Sequence, residues 1–448
     1  ALEVVGFDVY LHHCVKQLRL PPELAEAEDE EIIDILRQRI RQGSTRMPIV
    51  KVILSGPGYA GKTCLVRTLT EGAFPVEDPE RTNGIDICAM MVSEGRLEFV
   101  FYDFGGQPVY ASTHQLFLRS RAVFLVVWDA VEGRDEETEV HGYAQDVLDA
   151  NPDAGLLFVI SKVDDGRPRS RLSEEQLRVR YGANFRGLIA VSAKSGLNLD
   201  HLLAEIEAVG RTLRLVDEEV PRTYLELRRR VEARRVEDFC ISADEWRVEA
   251  EAAGVPPSGM STALDLFHAW GLVLHLPGGE DSPVVLRPQE LAGMLSEVIT
   301  RHPDKTQHCR DGLLRHAELA AVWVDYDVAL HPYFLELVHE YELGIRLCDP
   351  AGLDMGATLI PAMLGTSDYE AMQDMAQLLG QQPLPRQADC QVTLSSFPSR
   401  FVPQLLVQLR QLMTLGGWWR LGTVITDRGH SRDTIRAVGS VAVDPASK

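Results

Sequence analysis

A chain of 448 residues exceeds what one ordinary hydrophobic core holds, so two or three domains are expected. Its 66 Asp and Glu against 45 Lys and Arg leave a formal charge of −21, which opposes general attraction to nucleic-acid phosphates or anionic lipid. With 45% hydrophobic and 25% charged residues the composition is that of a soluble globular protein, and seven scattered cysteines without a C-x-x-C pair fit reduced thiols in a cytoplasmic protein, not a disulfide frame or a zinc site.

The chain starts at Ala1 and not at Met, as an excised piece of a longer protein would. No signal-peptide pattern opens it, and no apolar run approaches the roughly 20 residues of a membrane helix. Residues 1–46 read as a connector. Pro21-Pro22 opens an acidic stretch, and a helix follows with Ile32, Ile33, Leu36 and Ile40 on one face. Acid near its start and Arg37, Arg39 and Arg41 near its end complement the helix dipole, and Gly43 supplies a stop.

Residues 47–212 alternate buried-strand runs with helical patterns. The runs lie at 49–54, 85–91, 97–103, 122–129, 155–160 and 188–193. Their near-continuous Val, Ile, Leu and Phe means strands covered on both faces, hence an α/β domain with a mostly parallel sheet. The pair 85–91 and 97–103 is joined closely enough to be an antiparallel hairpin, which makes the sheet mixed.

Gly56-x-x-x-x-Gly61-Lys62-Thr63 follows the first strand and opens a helix, the setting a phosphate loop needs. Gly58, Tyr59, Ala60, Gly61, Lys62, Thr63 and Cys64 would wrap phosphates with backbone N–H groups and the positive helix end. Lys62 would reach the β and γ phosphates, and the Thr63 hydroxyl would ligate Mg2+. The same glycines spell G-x-G-x-x-G, but a dinucleotide fold has no use for Lys62-Thr63 there.

Asp103-Phe104-Gly105 carries the letters of a kinase magnesium loop, yet it lies 103 − 61 = 42 residues past Gly61, too few for a kinase small lobe and catalytic loop. The spacing suits one helix, a loop and a hairpin. Asp103 would then hold Mg2+ through water, the Gly106 N–H would meet the γ phosphate, and Gln107 would orient the attacking water as in Ras-like GTPases. Thr82, just before a strand, is placed to close over the metal. Further on, Ser161-Lys162-x-Asp164 ends one buried strand and Ser192-Ala193-Lys194 ends the next. Asp164 would accept from guanine N1 and N2, Lys162 would pack over the base, and the Ala193 N–H would donate to O6. Ser161 stands where asparagine is usual and would hold neighbouring backbone less firmly.

Beyond Val220 the pattern changes. Pro221 is expected to end the preceding helix, and residues up to 365 twice give helices followed by a short apolar hairpin, a winged-helix pattern. The basic run Arg228 to Arg235 is interleaved with Glu226, Glu232, Glu237 and Asp238, so it reads as a solvated helix face. From Asp389 onward a strand, a helix and a hairpin suggest a third, α+β unit that stops soon after it begins.

"TNGID", "DFGGQPVYASTH", "LRSRAVFLVVWD", "VPRTYLELRRRV", "LFHAWGLVLHLPG", "VVLRPQELAGML" and "EYELGIRL", in this order, resemble the Roc-COR tandem of Roco proteins over roughly residues 18 to 430. "LRLPPEL" with its helix resembles the exit of a leucine-rich repeat array. The resemblance implies a Ras-like GTPase domain (47–212), a helical, winged-helix first part of COR (213–385) and a short second COR part (386–448) that mediates homodimerisation. It implies a GTP/GDP-dependent signalling switch that cycles with Mg2+ and meets other signalling proteins. Lys62 and Thr63 take the phosphate role, Thr82 and Asp103 to Gln107 the switches, and Lys162 and Asp164 the base role. Family members vary at the glutamine, and Gln107 favours real if slow hydrolysis.

Two other readings stay open at this point. A signal-transduction ATPase also joins a P-loop domain to a winged helix, and there Asp129 would be the metal-side acid. A GTP-binding scaffold without turnover would use the same residues as the switch.

Overall fold

The computed structural model of the chain describes residues 29–76, 82, 85–93, 96–105, 117–118, 120–129, 136–164, 170–213, 219–275, 282–298, 309–310, 312–340, 343–348, 353–363, 405–406, 413–419, 422–428 and 435–442. They fall into two compact units. The first holds the described residues up to Leu291 except Phe117; the second holds Phe117 and those from Ala292 onward.

The first unit opens with helix α1 (Asp29–Gln42), whose buried side is Ile32, Ile35 and Gln38. Ile40, expected on the apolar face, is 72% exposed. The reason is angular: at 100° per residue Ile32, Ile35 and Gln38 share one stripe, while Ile40 falls beside the solvent-facing arginines. The helix is tied down by polar contacts, with Arg39 2.7 Å from Glu219 and Ser258 hydrogen-bonded to Asp34. Strand β1 (Ser44–Arg46) follows and leads into β2 (Ile49–Ser55), buried throughout.

Strands β3 (Ile85–Val92), β4 (Leu97–Phe104), β5 (Val123–Asp129), β6 (Gly155–Ser161) and β7 (Phe185–Ala190) join β2 in one six-stranded sheet, ordered β3-β4-β2-β5-β6-β7. The pairs among β4, β2, β5, β6 and β7 are parallel, and β3 is antiparallel to β4 from Ile85↔Phe104 to Val92↔Leu97. The expected mixed, mostly parallel sheet and its hairpin are thus present. The last strand begins and ends three residues earlier than its apolar run suggested, at 185–190 in place of 188–193. Phe185 is the buried anchor that starts it, and Val191 to Ala193 continue past it as a loop.

One sheet face packs Val50, Val52, Leu54, Phe99 and Phe101 against Leu65 and Leu69 of α2 (Lys62–Glu71) and against Leu202 and Ile206 of α5 (Leu199–Thr212). At roughly 1.5–3 kcal/mol per buried side chain, this layer outweighs any ion pair on the surface. Helices α3 (Glu136–Ala150) and α4 (Glu174–Tyr181) flank the other strands, where Trp128, Phe158 and Tyr181 make an aromatic cluster.

Pro221 does not end a helix. Helix α5 stops at Thr212, and Pro221 lies in β8 (Glu219–Pro221), paired antiparallel with β1. Proline is tolerated in such a short edge strand because no partner needs its missing N–H. Helices α6 (Thr223–Glu237), α7 (Ala243–Ala252) and α8 (Met260–Trp270) then pack around Tyr224, Trp246, Phe267 and Trp270. A small sheet of β9 (Cys240–Ile241), β10 (Leu274–His275) and β11 (Val284–Val285) closes them, and α9 (Pro288–Val298) follows. This is the first helix-and-hairpin set read from the sequence. The arginines of α6 are engaged: Arg228 with Glu98 and Glu232, Arg230 with Glu249, Arg234 with Asp238, Glu245 and Glu249.

The second set lies in the second unit. Strands β12 (Cys309–Arg310), β13 (Leu313–Arg315), β14 (Ile345–Cys348) and β15 (Asp354–Leu359) form a sheet ordered β12-β13-β15-β14. Helices α10 (Leu319–Val322) and α11 (His331–Glu340) accompany it, with Trp323 edge-on to Phe334 at 5.4 Å. Strands β16 (Met413–Trp419), β17 (Gly422–Arg428) and β18 (Ile435–Ala442) form a separate antiparallel meander. The strand and most of the helix expected from Asp389 onward lie outside the described residues.

Candidate nucleotide site

Apart from Thr82, which precedes β3, the described site residues expected from the sequence lie at the carboxyl ends of β2, β4, β6 and β7 or just beyond them, the place where open α/β sheets bind ligands. After β2 the chain turns at Gly56, with φ +150; a Cβ there would stand 2.0 Å from the Val127 carbonyl, so only glycine fits. Gly61, at φ 88, is the N-cap of α2. That cap makes no side-chain hydrogen bond and the first turn holds no acid, so no carboxylate side chain offsets the positive end of the helix there. Lys62 is only 5% exposed, and its ammonium donates to the Gly56 carbonyl at 2.7 Å and the Pro57 carbonyl at 2.9 Å.

Thr63, Thr82 and Asp103 come together from α2, the approach to β3, and β4. The Thr63 hydroxyl donates to Asp103 Oδ2 at 2.5 Å; Thr82 Oγ1 is 3.1 Å from Thr63 Oγ1 and 3.3 Å from Asp103 Oδ2. Asp103 is 2% exposed, and its Oδ1 is buried without a hydrogen-bond partner. Burial raises its pKa above the ordinary carboxylate value, against the opposing pull of the Thr63 hydrogen bond, the Lys62 charge and Thr82. A buried carboxylate oxygen left bare beside two hydroxyls is a cluster of hard oxygen donors, the chemistry Mg2+ takes. Among the described residues no three His, Cys, Asp or Glu side chains converge as metal ligands.

The base end is built on two loops. Ser161 closes β6, buried, with its hydroxyl directed at the Ala60 carbonyl and lying 3.0 Å from the Trp128 carbonyl. One hydroxyl proton serves one acceptor at a time, whereas an asparagine amide could serve both, which gives the expected weaker hold a concrete form. Lys162, at φ 58, donates to the Tyr59 carbonyl and to Asp129 Oδ2 at 2.9 Å. Its stem crosses Gly61, with Cε 3.3 Å from where a Cβ would be. Asp164 sits exposed on the turn that follows. The loop after β7 is pinned beside it: Val163 N–H donates to Val191, and Ser192, fully buried, accepts the Ser195 N–H at 3.1 Å. Ala193 is partly buried and Lys194 exposed.

Gly106 and Gln107 lie outside the described residues. Sequence reasoning missed the part Asp129 plays as the anchor of Lys162. Its signal was present, an acid ending a buried strand, but the pairing depends on the register Asp129↔Ser161 between β5 and β6. In the ATPase reading Asp129 would stand at the metal; here it holds Lys162, and Asp103 is the carboxylate beside Thr63.

Comparison with known proteins adds two family matches. Residues 51–164 match the family model described as Roc, "Ras of Complex, Roc, domain of DAPkinase", and residues 221–364 match COR-A, "C-terminal of Roc, COR-A domain". The chain is 26% identical over 452 residues to the probable serine/threonine-protein kinase pats1 of Dictyostelium discoideum, covering 93% of this chain and 14% of that protein. It is 31% identical over 160 residues to human Ras-related protein Rab-26, covering 34% of this chain and 59% of that one. Among solved structures, Roco2 RocCORdC of Methanosarcina barkeri bound to GDP shares the fold at a TM-score of 0.60 and 22% identity, over 72% of this chain and 97% of that one. The chain therefore spans about a seventh of its long curated relative. No helix among the described residues is long and apolar enough to cross a membrane.

Proposed function

We propose, from the premise that this chain belongs to the Roco family of GTP-binding proteins, that it is a switch that binds and slowly hydrolyses GTP and whose nucleotide state is coupled to COR-mediated dimerisation. The observation that carries the reading is the convergence of Thr63, Thr82 and the bare Asp103 Oδ1 beside a helix start that has a glycine N-cap and no acidic residue in its first turn. Thr63 and Asp103, with Thr82 closing over them, would hold Mg2+. When bound, the ion neutralises charge on the β and γ phosphates.

The chain's own residues do the rest. The loop Gly58 to Cys64 presents backbone N–H groups to the phosphates, and Lys62 exchanges its carbonyl partners for phosphate oxygens. Lys162 lies over the base while Asp164 accepts from its N1 and N2, with the loop Ser192 to Lys194 supporting O6 through the Ala193 N–H. Gly106 donates to the γ phosphate and Gln107 orients the attacking water. Dimerisation through the last part of COR, a cytoplasmic site of action and further signalling partners belong to the same proposal.

The test is to denature the purified protein and identify the released nucleotide chromatographically, then to follow phosphate release from added GTP. Guanine nucleotide at near-stoichiometric amount, absent from Lys62→Ala, supports the reading. Adenine nucleotide would replace it with the ATPase. Gln107→Leu should bind GTP unchanged and release phosphate on the order of a hundredfold more slowly. Light scattering with GTP or GDP then tests the coupled dimer.

A further inference from the structure

Tyr59 stands in the middle of the phosphate loop, and nothing in the loop's chemistry requires an aromatic ring there. It adopts φ 65, the left-handed region, which costs a residue with a bulky side chain roughly 1–2 kcal/mol. Gly56, Gly58 and Gly61 around it show that glycine is used freely in this loop, so the strain would vanish with one more glycine. Nor does the ring serve the core, because Tyr59 is 66% exposed.

The strained backbone is held from below. Lys162 donates to the Tyr59 carbonyl and is itself anchored by Asp129, and Ser161 donates to the carbonyl of Ala60, the next residue. Lys162 thus holds the one residue of the loop that combines positive φ with a large exposed side chain, and Ser161 holds the residue after it. Strain kept at a binding loop and over-determined by its surroundings points to a use for the side chain.

We propose that the Tyr59 side chain is a clasp on the bound nucleotide: its ring covers the outer side of the phosphates and its hydroxyl donates to a phosphate oxygen, slowing release. This rests on the nucleotide reading above and adds to it a residue that sets how long the nucleotide stays. A phenol suits the task because it donates a hydrogen bond to an anion while its ring keeps water away at small entropic cost. The clamp ties the clasp to the base end, since Lys162 packs on the base with the same side chain that holds Tyr59 in place.

The experiment measures dissociation of a fluorescent GDP analogue from the chain in Mg2+, after chase with unlabelled GDP, for the parent, Tyr59→Gly and Tyr59→Phe. Glycine relaxes at φ 65, so Tyr59→Gly should melt no lower than the parent without nucleotide, which removes misfolding as an explanation. The expected result is release roughly ten- to a hundredfold faster from Tyr59→Gly, the range of one lost hydrogen bond to a charged group, with Tyr59→Phe between the two. A Tyr59→Gly rate within about twofold of the parent would overturn the clasp while leaving the nucleotide site standing. Failure of the parent itself to take up GDP would overturn the site reading instead.

Discussion

Lys162 Nζ lies 2.9 Å from Asp129 Oδ2, across the tips of the neighbouring parallel strands β5 and β6. The carboxylate is 3% exposed and the lysine 31%, so the pair is half in water. Asp129→Ala leaves the Lys162 ammonium on the Tyr59 carbonyl alone among the two contacts described and lets it swing toward solvent. The expected loss of stability is about 1–2 kcal/mol, below that of a fully buried pair because Lys162 can rehydrate. On the proposed role of Lys162 over the base, guanine-nucleotide affinity should fall by more than stability does. Urea denaturation and equilibrium titration with a fluorescent GDP analogue separate the two effects.

Asp103 sets up an opposition between folding and binding. Its pKa is raised by burial, so between the unfolded and folded values the folded chain holds the extra proton, and stability falls as pH rises through that window. Asp103→Asn removes the buried charge and keeps an acceptor for Thr63. In chelator at neutral pH this variant should melt above the parent, with a flatter pH profile. In Mg2+ it should bind GTP at least roughly tenfold more weakly, because the metal-side oxygen has been replaced by an amide. Calorimetry across pH and a Mg2+-dependent binding titration check both halves; a variant that melts lower in chelator would remove the argument.

In the proposed site, base choice would rest on one exposed carboxylate. Asp164→Asn exchanges an acceptor for a donor and should weaken GTP roughly ten- to a hundredfold while improving xanthosine triphosphate. Competition between the two nucleotides for the same fluorescent analogue gives the ratio, and an unchanged ratio would remove Asp164 from the site.

Gly271 ends helix α8 at φ +77, and a Cβ there would fall 2.4 Å from Tyr102 Oη and 2.6 Å from Lys51 Cε. Tyr102 also reaches the Gly271 carbonyl at 3.4 Å, and Lys51 donates to the His268 carbonyl at 3.0 Å. Gly271→Ala should cost about 2–3 kcal/mol from the backbone conformation and the crowding together. The lysine end can yield, but the buried tyrosine ring has little room. Chemical denaturation reads the loss, and nucleotide stoichiometry should persist because Gly271 packs on Lys51 and Tyr102, which alternate with the residues of β2 and β4 that pack under α2.

The sheet was legible because strands buried on both faces have to be apolar almost throughout, a pattern that Ile49–Ser55 and Val123–Asp129 show without interruption. The phosphate loop was legible for a different reason: its glycines answer local backbone demands, as Gly56 does against Val127. What escaped were facts of register and angle. Nothing in the run at 188–193 reveals that Phe185 is the first buried residue of its strand, and nothing in Ile40 itself reveals that the partner surface lies under Ile35. Asp129 belongs with these. Its role depends on which residue of the next strand stands opposite, and local composition does not encode that.

Strand β4 has its two faces committed to different neighbours. Phe99 and Phe101 point into the core under α2 and Asp103 reaches Thr63, while Glu98 pairs with Arg228 and Tyr102 meets the end of α8. Eight residues of extended chain hydrogen-bonded on both edges, to β3 and β2, have no hinge in which to absorb a displacement. A ligand that drew Asp103 toward it at the proposed site would therefore drag a side chain on the reverse of the same ribbon. Amide exchange along Leu97–Phe104 would record that as one trace, slowing together at both ends of the strand when the site fills.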